Sequence, residues 1–140
     1  MLKSVAIITL VSLLISSIVI SPSCSSPSDK PANADEITMN LLQAVINTDF
    51  AGYESYFAEE LRDQLGTEQD FLEQVTAIKD TYGEYVADSL SYSGIETTED
   101  GQINVYYDAE FTKGNDVQVR SVFKERSGET VVIGFWLERQ

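Results

Sequence analysis

The sequence predicts an α+β domain in which a helical half precedes an antiparallel sheet. Apolar residues recur at helical spacing from Ile37 to Tyr82, and after Gly83 the period changes to two. The alternating part is divided by Lys113-Gly114-Asn115 and Ser127-Gly128-Glu129, both suited to tight turns. Helices followed by strands, rather than alternating with them, place the helices together on one face of the sheet. The composition, 43% hydrophobic and 23% charged over 140 residues, is that of a globular protein.

The chain starts with Lys3 and then runs from Val5 to Ile20 without a charge. A membrane-spanning helix needs about 20 apolar residues. This run is shorter and is diluted by Thr9, Ser12, Ser16 and Ser17, so residues 1–23 read as a secretory signal. An uncleaved anchor is the alternative. Cys24, the only cysteine, follows Ser21-Pro22-Ser23. The arrangement resembles the lipobox of prokaryotic lipoproteins, in which the cysteine is acylated and becomes the new N-terminus. Small Ser23 matches that pattern, whereas Ser21 stands where the family prefers Leu and Pro22 where it prefers Ala or Ser. Residues 24–33 then serve as a lipidated cysteine and an extended Ser/Pro tether. Ala32-Asn33-Ala34 also spells a cleavage signal, but it lies too far beyond Ile20.

The folded domain is expected over residues 34–140. Asn33 or Asp35 can cap a first helix, whose apolar face is Ile37, Leu41, Leu42, Val45 and Ile46. Thr48-Asp49 interrupts it. Phe50, Tyr53, Tyr56 and Phe57 lead into a second helix running through Leu61 and Leu65 to Gly66. Thr67 and Asp70 form a relative of the capping box and open a third helix, which carries Phe71, Leu72, Val75, Ile78 and Tyr82 and ends at Gly83.

Residues 85–98 suggest a first strand bent at Ser93-Gly94, turning at Glu99-Asp100-Gly101. Residues 102–112, 116–126 and 130–139 follow as a meander. Their odd positions form the inward face: Ile103, Val105, Tyr107, Ala109 and Phe111; Val117, Val119, Ser121 and Phe123; Val131, Ile133, Phe135 and Leu137. The even face holds Asp108 and Glu110 on one strand and Arg120, Lys124 and Arg126 on the next. Matched pairing would bring Arg120 near Asp108 or Glu110, as a solvated charge-paired face or as an anion-binding stripe.

The order of helices, first strand and meander resembles the nuclear transport factor 2-like (cystatin-like) superfamily, and within it prokaryotic lipoprotein domains of unknown function. The stretch Asn47–Leu61 and the closing Val131–Leu137, with its Gly134-Phe135-Trp136 step, carry the resemblance. It implies a cone-shaped, curved sheet of about four strands, closed by helices and able to hold a pocket. Enzymes of the superfamily place an Asp, and often His or Tyr, inside the cone. Here the inward face offers only Tyr107 and Ser121 as polar groups.

Charge and composition narrow the function. The chain has 9 basic and 23 acidic residues, a net charge of −14 and no histidine. Nucleic-acid binding needs clustered Lys and Arg, and a balance of 9 basic against 23 acidic residues argues against it. One cysteine excludes an intrachain disulfide and a thiolate metal cluster. Glu59-Glu60 and Asp35-Glu36 are adjacent on helices and do not face each other. The eight glycines are dispersed and form no phosphate-cradling loop. Tyr53, Tyr56, Tyr82 and Tyr107 suit the core. Trp136 has even parity and is expected on the outer face beside Tyr106 and Val122, as part of a partner-binding patch.

These observations lead to a non-enzymatic, lipid-anchored envelope protein on the extracytoplasmic face of a prokaryotic cell membrane. Its membrane contact is Cys24, its partner is an envelope protein, and it needs no cofactor or metal. Binding falls to Trp136, Tyr106, Tyr107 and Ser121. The alternatives are a binder of a small apolar ligand in the cone pocket and a divergent isomerase- or dehydratase-like enzyme.

Overall fold

The computed structural model describes residues 29–140. Cys24 and the signal and tether readings upstream of Asp29 lie outside the described residues. Among the described residues four helices precede four strands: α1 (Ala34–Ile46), α2 (Phe50–Ser55), α3 (Glu59–Arg62) with a 3₁₀ turn (Asp63–Leu65), α4 (Glu68–Tyr82), β1 (Ser91–Thr97), β2 (Ile103–Phe111), β3 (Gly114–Arg126) and β4 (Glu129–Arg139). The strands form one antiparallel sheet in the order β1-β2-β3-β4. The α+β class is therefore observed.

Local chemistry accounts for the helix boundaries. Asn33 is the α1 N-cap residue but makes no capping bond through its side chain. Asp35 lies in the first turn of α1 and is used elsewhere. Thr48 adopts a positive φ of 56°, and Asp49 then caps α2 by accepting the Gly52 N–H at 3.0 Å. The Thr67–Asp70 capping box is complete: Thr67 Oγ1 accepts the Asp70 N–H, and Asp70 Oδ2 accepts the Thr67 N–H at 2.7 Å. Such a cap contributes about 1 kcal/mol. Gly83 ends α4 with φ +81°, a conformation that excludes most side chains.

The expected second helix is broken in two. At Tyr56–Ala58 the chain leaves helical geometry and pairs with the outer edge of β4. Ala58 N–H donates to the Val132 carbonyl at 3.0 Å, Val132 N–H donates to the Tyr56 carbonyl at 3.4 Å, and Phe57 bridges Val132. An uncovered strand edge invites non-native pairing, so this detour satisfies backbone groups that a continuous helix would leave open.

The inward face of the sheet follows the odd parity through β2 and most of β3. Val105, Tyr107, Ala109, Phe111, Val117, Val119, Ser121 and Phe123 are buried against Leu41 and Leu42 of α1. In β4 the parity changes. Val122 pairs with Gly134 but Phe123 pairs with Val132, so Ile133 is an extra residue. This β-bulge turns Val132 into the core in place of the expected Val131 and Ile133, while Phe135 and Leu137 keep their places opposite Ser121 and Val119.

Other boundaries shift by smaller amounts. The β2–β3 hairpin closes at Phe111 and Gly114, around Thr112-Lys113 rather than Lys113-Gly114-Asn115. Ser127 and Gly128 both have positive φ, as a two-residue hairpin turn requires. Regular pairing in β1 starts only at Ser91; Tyr85 makes a single bridge to Phe111. The bend expected at Ser93-Gly94 is a bulge between Tyr92 and Gly94.

Candidate functional site

The four residues singled out for binding fall in two places. Tyr107 and Ser121 lie beneath α1, where each has a partner. Ser121 Oγ and Thr38 Oγ1 are 2.8 Å apart, and both residues are fully buried. The Tyr107 hydroxyl donates to Asp35 Oδ1 at 2.7 Å. Burial, and then the Asp35 carboxylate, raise the Tyr107 phenol far above its ordinary value. Asp35 is itself lowered, first by Lys30, whose ammonium donates to both carboxylate oxygens at 2.7 Å. Lys30 also stands 4.6 Å from the Tyr92 ring centroid. These polar groups fasten the start of α1 to the sheet.

Trp136 and Tyr106 lie on the opposite face. The register sets Tyr106, Arg120 and Trp136 side by side across β2, β3 and β4. The Arg120 guanidinium is 4.7 Å from the Trp136 ring centroid and donates to Glu138 at 3.0 Å. Arg120 is therefore not paired with Asp108 or Glu110, because those residues sit further along β2 than its register partner Tyr106. Tyr106 donates its hydroxyl to Glu96 at 3.0 Å, and burial and this carboxylate raise its pKa.

Trp136 is 44% exposed but held in place. Its six-membered ring occupies the space that a side chain at Gly134 would need. Val122 is opposite Gly134, and although it lies on the outer face it is only 4% exposed. The indole thus covers the Gly134 position beside Val122, and the stacked Arg120 fixes the ring. An Arg over Trp contributes about 0.5–1 kcal/mol at such a surface.

Beside this tryptophan a groove runs along β4, between the strand and α3–α4. It consists of two adjoining cavities of about 270 Å³ each, both lined by Tyr53, Phe71, Gln74, Phe135 and Trp136. Its floor is an aromatic cluster: Tyr53 lies 5.0 Å from both Phe57 and Phe71 and 6.1 Å from Phe135. Burial pushes the Tyr53 phenol up to about 12. The helix above is thinly attached, with Phe71 and Val75 its only buried residues and Leu72 exposed.

Phe71, Tyr53, Gln74 and Phe135 were not singled out from the sequence as site residues. Phe71, Tyr53 and Phe135 carry the signal of core residues, and the gap between α4 and β4 that makes them a groove has no local signature. Among the described residues no three carboxylates gather as a metal site, and no helix is long and apolar enough to cross a membrane. No protein-family model matches the chain, and no curated protein matches it either.

Proposed function

We propose that this protein is a non-enzymatic binding module, lipid-anchored through Cys24 to the extracytoplasmic face of a prokaryotic cell membrane. It holds an envelope protein partner at the β4 side of its sheet. The observation that carries this reading is Trp136, the only tryptophan of the chain. It is half exposed yet fixed by Gly134 and Arg120, and it borders a groove with one apolar cavity and one more polar one. A rigid aromatic beside a concave apolar surface is the composition of an interface anchor.

The anchor reading draws on the sequence around Cys24. The domain is strongly negative and is repelled by anionic headgroups, so attachment needs acyl chains rather than charge. The nuclear transport factor 2-like reading draws on the order of helices and meander. The enzyme alternative has less support: Tyr107 and Ser121, the polar groups expected inside a cone, bond to Asp35 and Thr38 and line neither groove cavity.

A second reading, capture of a small apolar ligand, is favoured by the apolar lining of the cavity beside Val75 and Ile78. Crosslinking and pull-down from intact membranes separate the two. A partner protein captured by the full chain and lost with Trp136→Ala supports the interaction module; lipid or another small molecule without protein supports the ligand binder. In the same cells, Cys24→Ser should release the protein from membranes or block its processing. Unchanged mass and retention would favour an uncleaved helix.

A further inference from the structure

The two ends of the β4 edge are covered and its middle is not. At one end, Val132 exchanges hydrogen bonds with Tyr56 and Ala58. At the other, the Tyr82 hydroxyl donates to the Leu137 carbonyl at 3.4 Å. Backbone groups two residues apart on a strand point to the same side. The N–H and C=O of Phe135 therefore point away from β3 as Leu137 does, and no described residue takes them. The uncovered span from Val132 to Leu137 is about 16 Å at roughly 3.3 Å per residue. That is the length of a short extended segment.

The groove lies along this span. Its two cavities adjoin, sharing Phe71, Phe135 and Trp136, which suits two side chains at i and i+2 of an extended chain, about 7 Å apart. Tyr53 and Gln74 line both cavities, and neither side chain has a hydrogen-bond partner among the described residues.

Charge selects the occupant. Residues 33–83, which include the helical wall of the groove, hold 2 basic and 11 acidic side chains; these charges surround the groove and do not line its cavities. Glu68, Glu73 and Asp80 are exposed along α4. A second copy of this chain, itself at −14, is repelled. A segment rich in Lys or Arg is attracted.

Resting on the binding-module reading above, we propose that the partner contributes an extended segment that adds to the β4 edge as a fifth strand. Two alternating side chains enter the groove, an apolar one in the cavity beside Val75 and Ile78 and a partly polar one in its neighbour, and Lys or Arg residues flank them. Main-chain bonds to Phe135 set the register, and the acidic helices supply the preference for basic flanks.

The test uses the full chain with a library of end-blocked octapeptides. Four central positions are varied, and the two flanks at each end are all Lys or all Glu. Binding is read by Trp136 fluorescence, which reports on the groove alone because the chain has no other tryptophan. The expected binders come from the Lys-flanked half and carry an apolar residue at one central position and a partly polar one two residues away. N-methylation of the central amides that pair with the edge should weaken them by about tenfold, the size of one lost hydrogen bond. Gln74→Arg, at an exposed helix position, should weaken them similarly by adding positive charge to the groove.

Absence of binders, selection of the Glu-flanked half, or indifference to N-methylation would each overturn the strand-addition proposal. Those outcomes leave the broader reading standing if Trp136→Ala still abolishes capture of a protein from membranes. Loss of the broader reading would show instead as capture unaffected by Trp136→Ala.

Discussion

At position 134 a side chain would compete with the Trp136 indole for the same space. Glycine resolves the competition in favour of the ring, which then lies over the Gly134–Val122 pair and stacks under Arg120. Gly134→Ala should displace the indole, because its far edge is the first atom group that the new Cβ meets. The expected loss is about 1–2 kcal/mol, from uncovering the Gly134–Val122 pair and ending the stack. It should appear as a lower Tm together with a red-shifted tryptophan emission. An unchanged emission maximum would show that Gly134 does not hold the ring. Residue-scale chemistry that depends on near neighbours was legible in the sequence: the Thr67–Asp70 cap, the Gly83 stop and the outward parity of Trp136. The partner of Arg120 was not, since matched parity allows several diagonal neighbours and only the register selects Tyr106 and Trp136.

Elements differ in how firmly they are held. The strands carry most of the buried core, whereas α4 buries only Phe71 and Val75 and relies on its cap. Thr67→Ala should therefore destabilise α4 by about 1 kcal/mol. Hydrogen exchange should show faster exchange in Glu68–Tyr82 and little change in β2 and β3. Equal acceleration in helix and sheet would mean that α4 opens only with the whole domain. The helical and strand halves were readable from their two periods, and the Ser93-Gly94 irregularity from its composition. The break at Tyr56–Ala58 and the bulge at Ile133 were hidden for one reason. Both arise where distant segments meet at the β4 edge, while the local spacing of apolar residues continues the preceding pattern.

For the whole molecule, buried phenols set an alkaline limit. Tyr53 is raised to about 12 and Tyr107 further, each chiefly by burial. Below the ordinary value of 10.0 both are neutral in folded and unfolded chains, and their contribution is intact. Above it the unfolded chain loses these protons first, so stability falls as pH rises through the folded values, by up to about 1.4 kcal/mol per pH unit for each phenol. Chemical denaturation from pH 9 to 11.5 should show this decline, and Tyr53→Phe should reduce its slope. An unaltered slope would place Tyr53 in contact with solvent.

The net charge of −14 sits uppermost on the helical half, which holds 2 basic against 11 acidic residues; the strand half, 84–140, holds 5 against 11. That distribution was legible from the sequence, but the groove beside the helical half was not, because the groove is a product of packing. It directs attention to one side of the molecule, and two exposed aromatics allow the sides to be compared. Trp136 is on β4 and Tyr92, 48% exposed, is on β1 at the opposite edge of the sheet. The most direct measurement places a photo-crosslinking residue at one or the other position in the full chain and compares the adducts formed in intact cells. A discrete protein adduct from position 136 and none from position 92 is the result expected of a partner held at the β4 side. An adduct from position 92 with none from position 136 would contradict it.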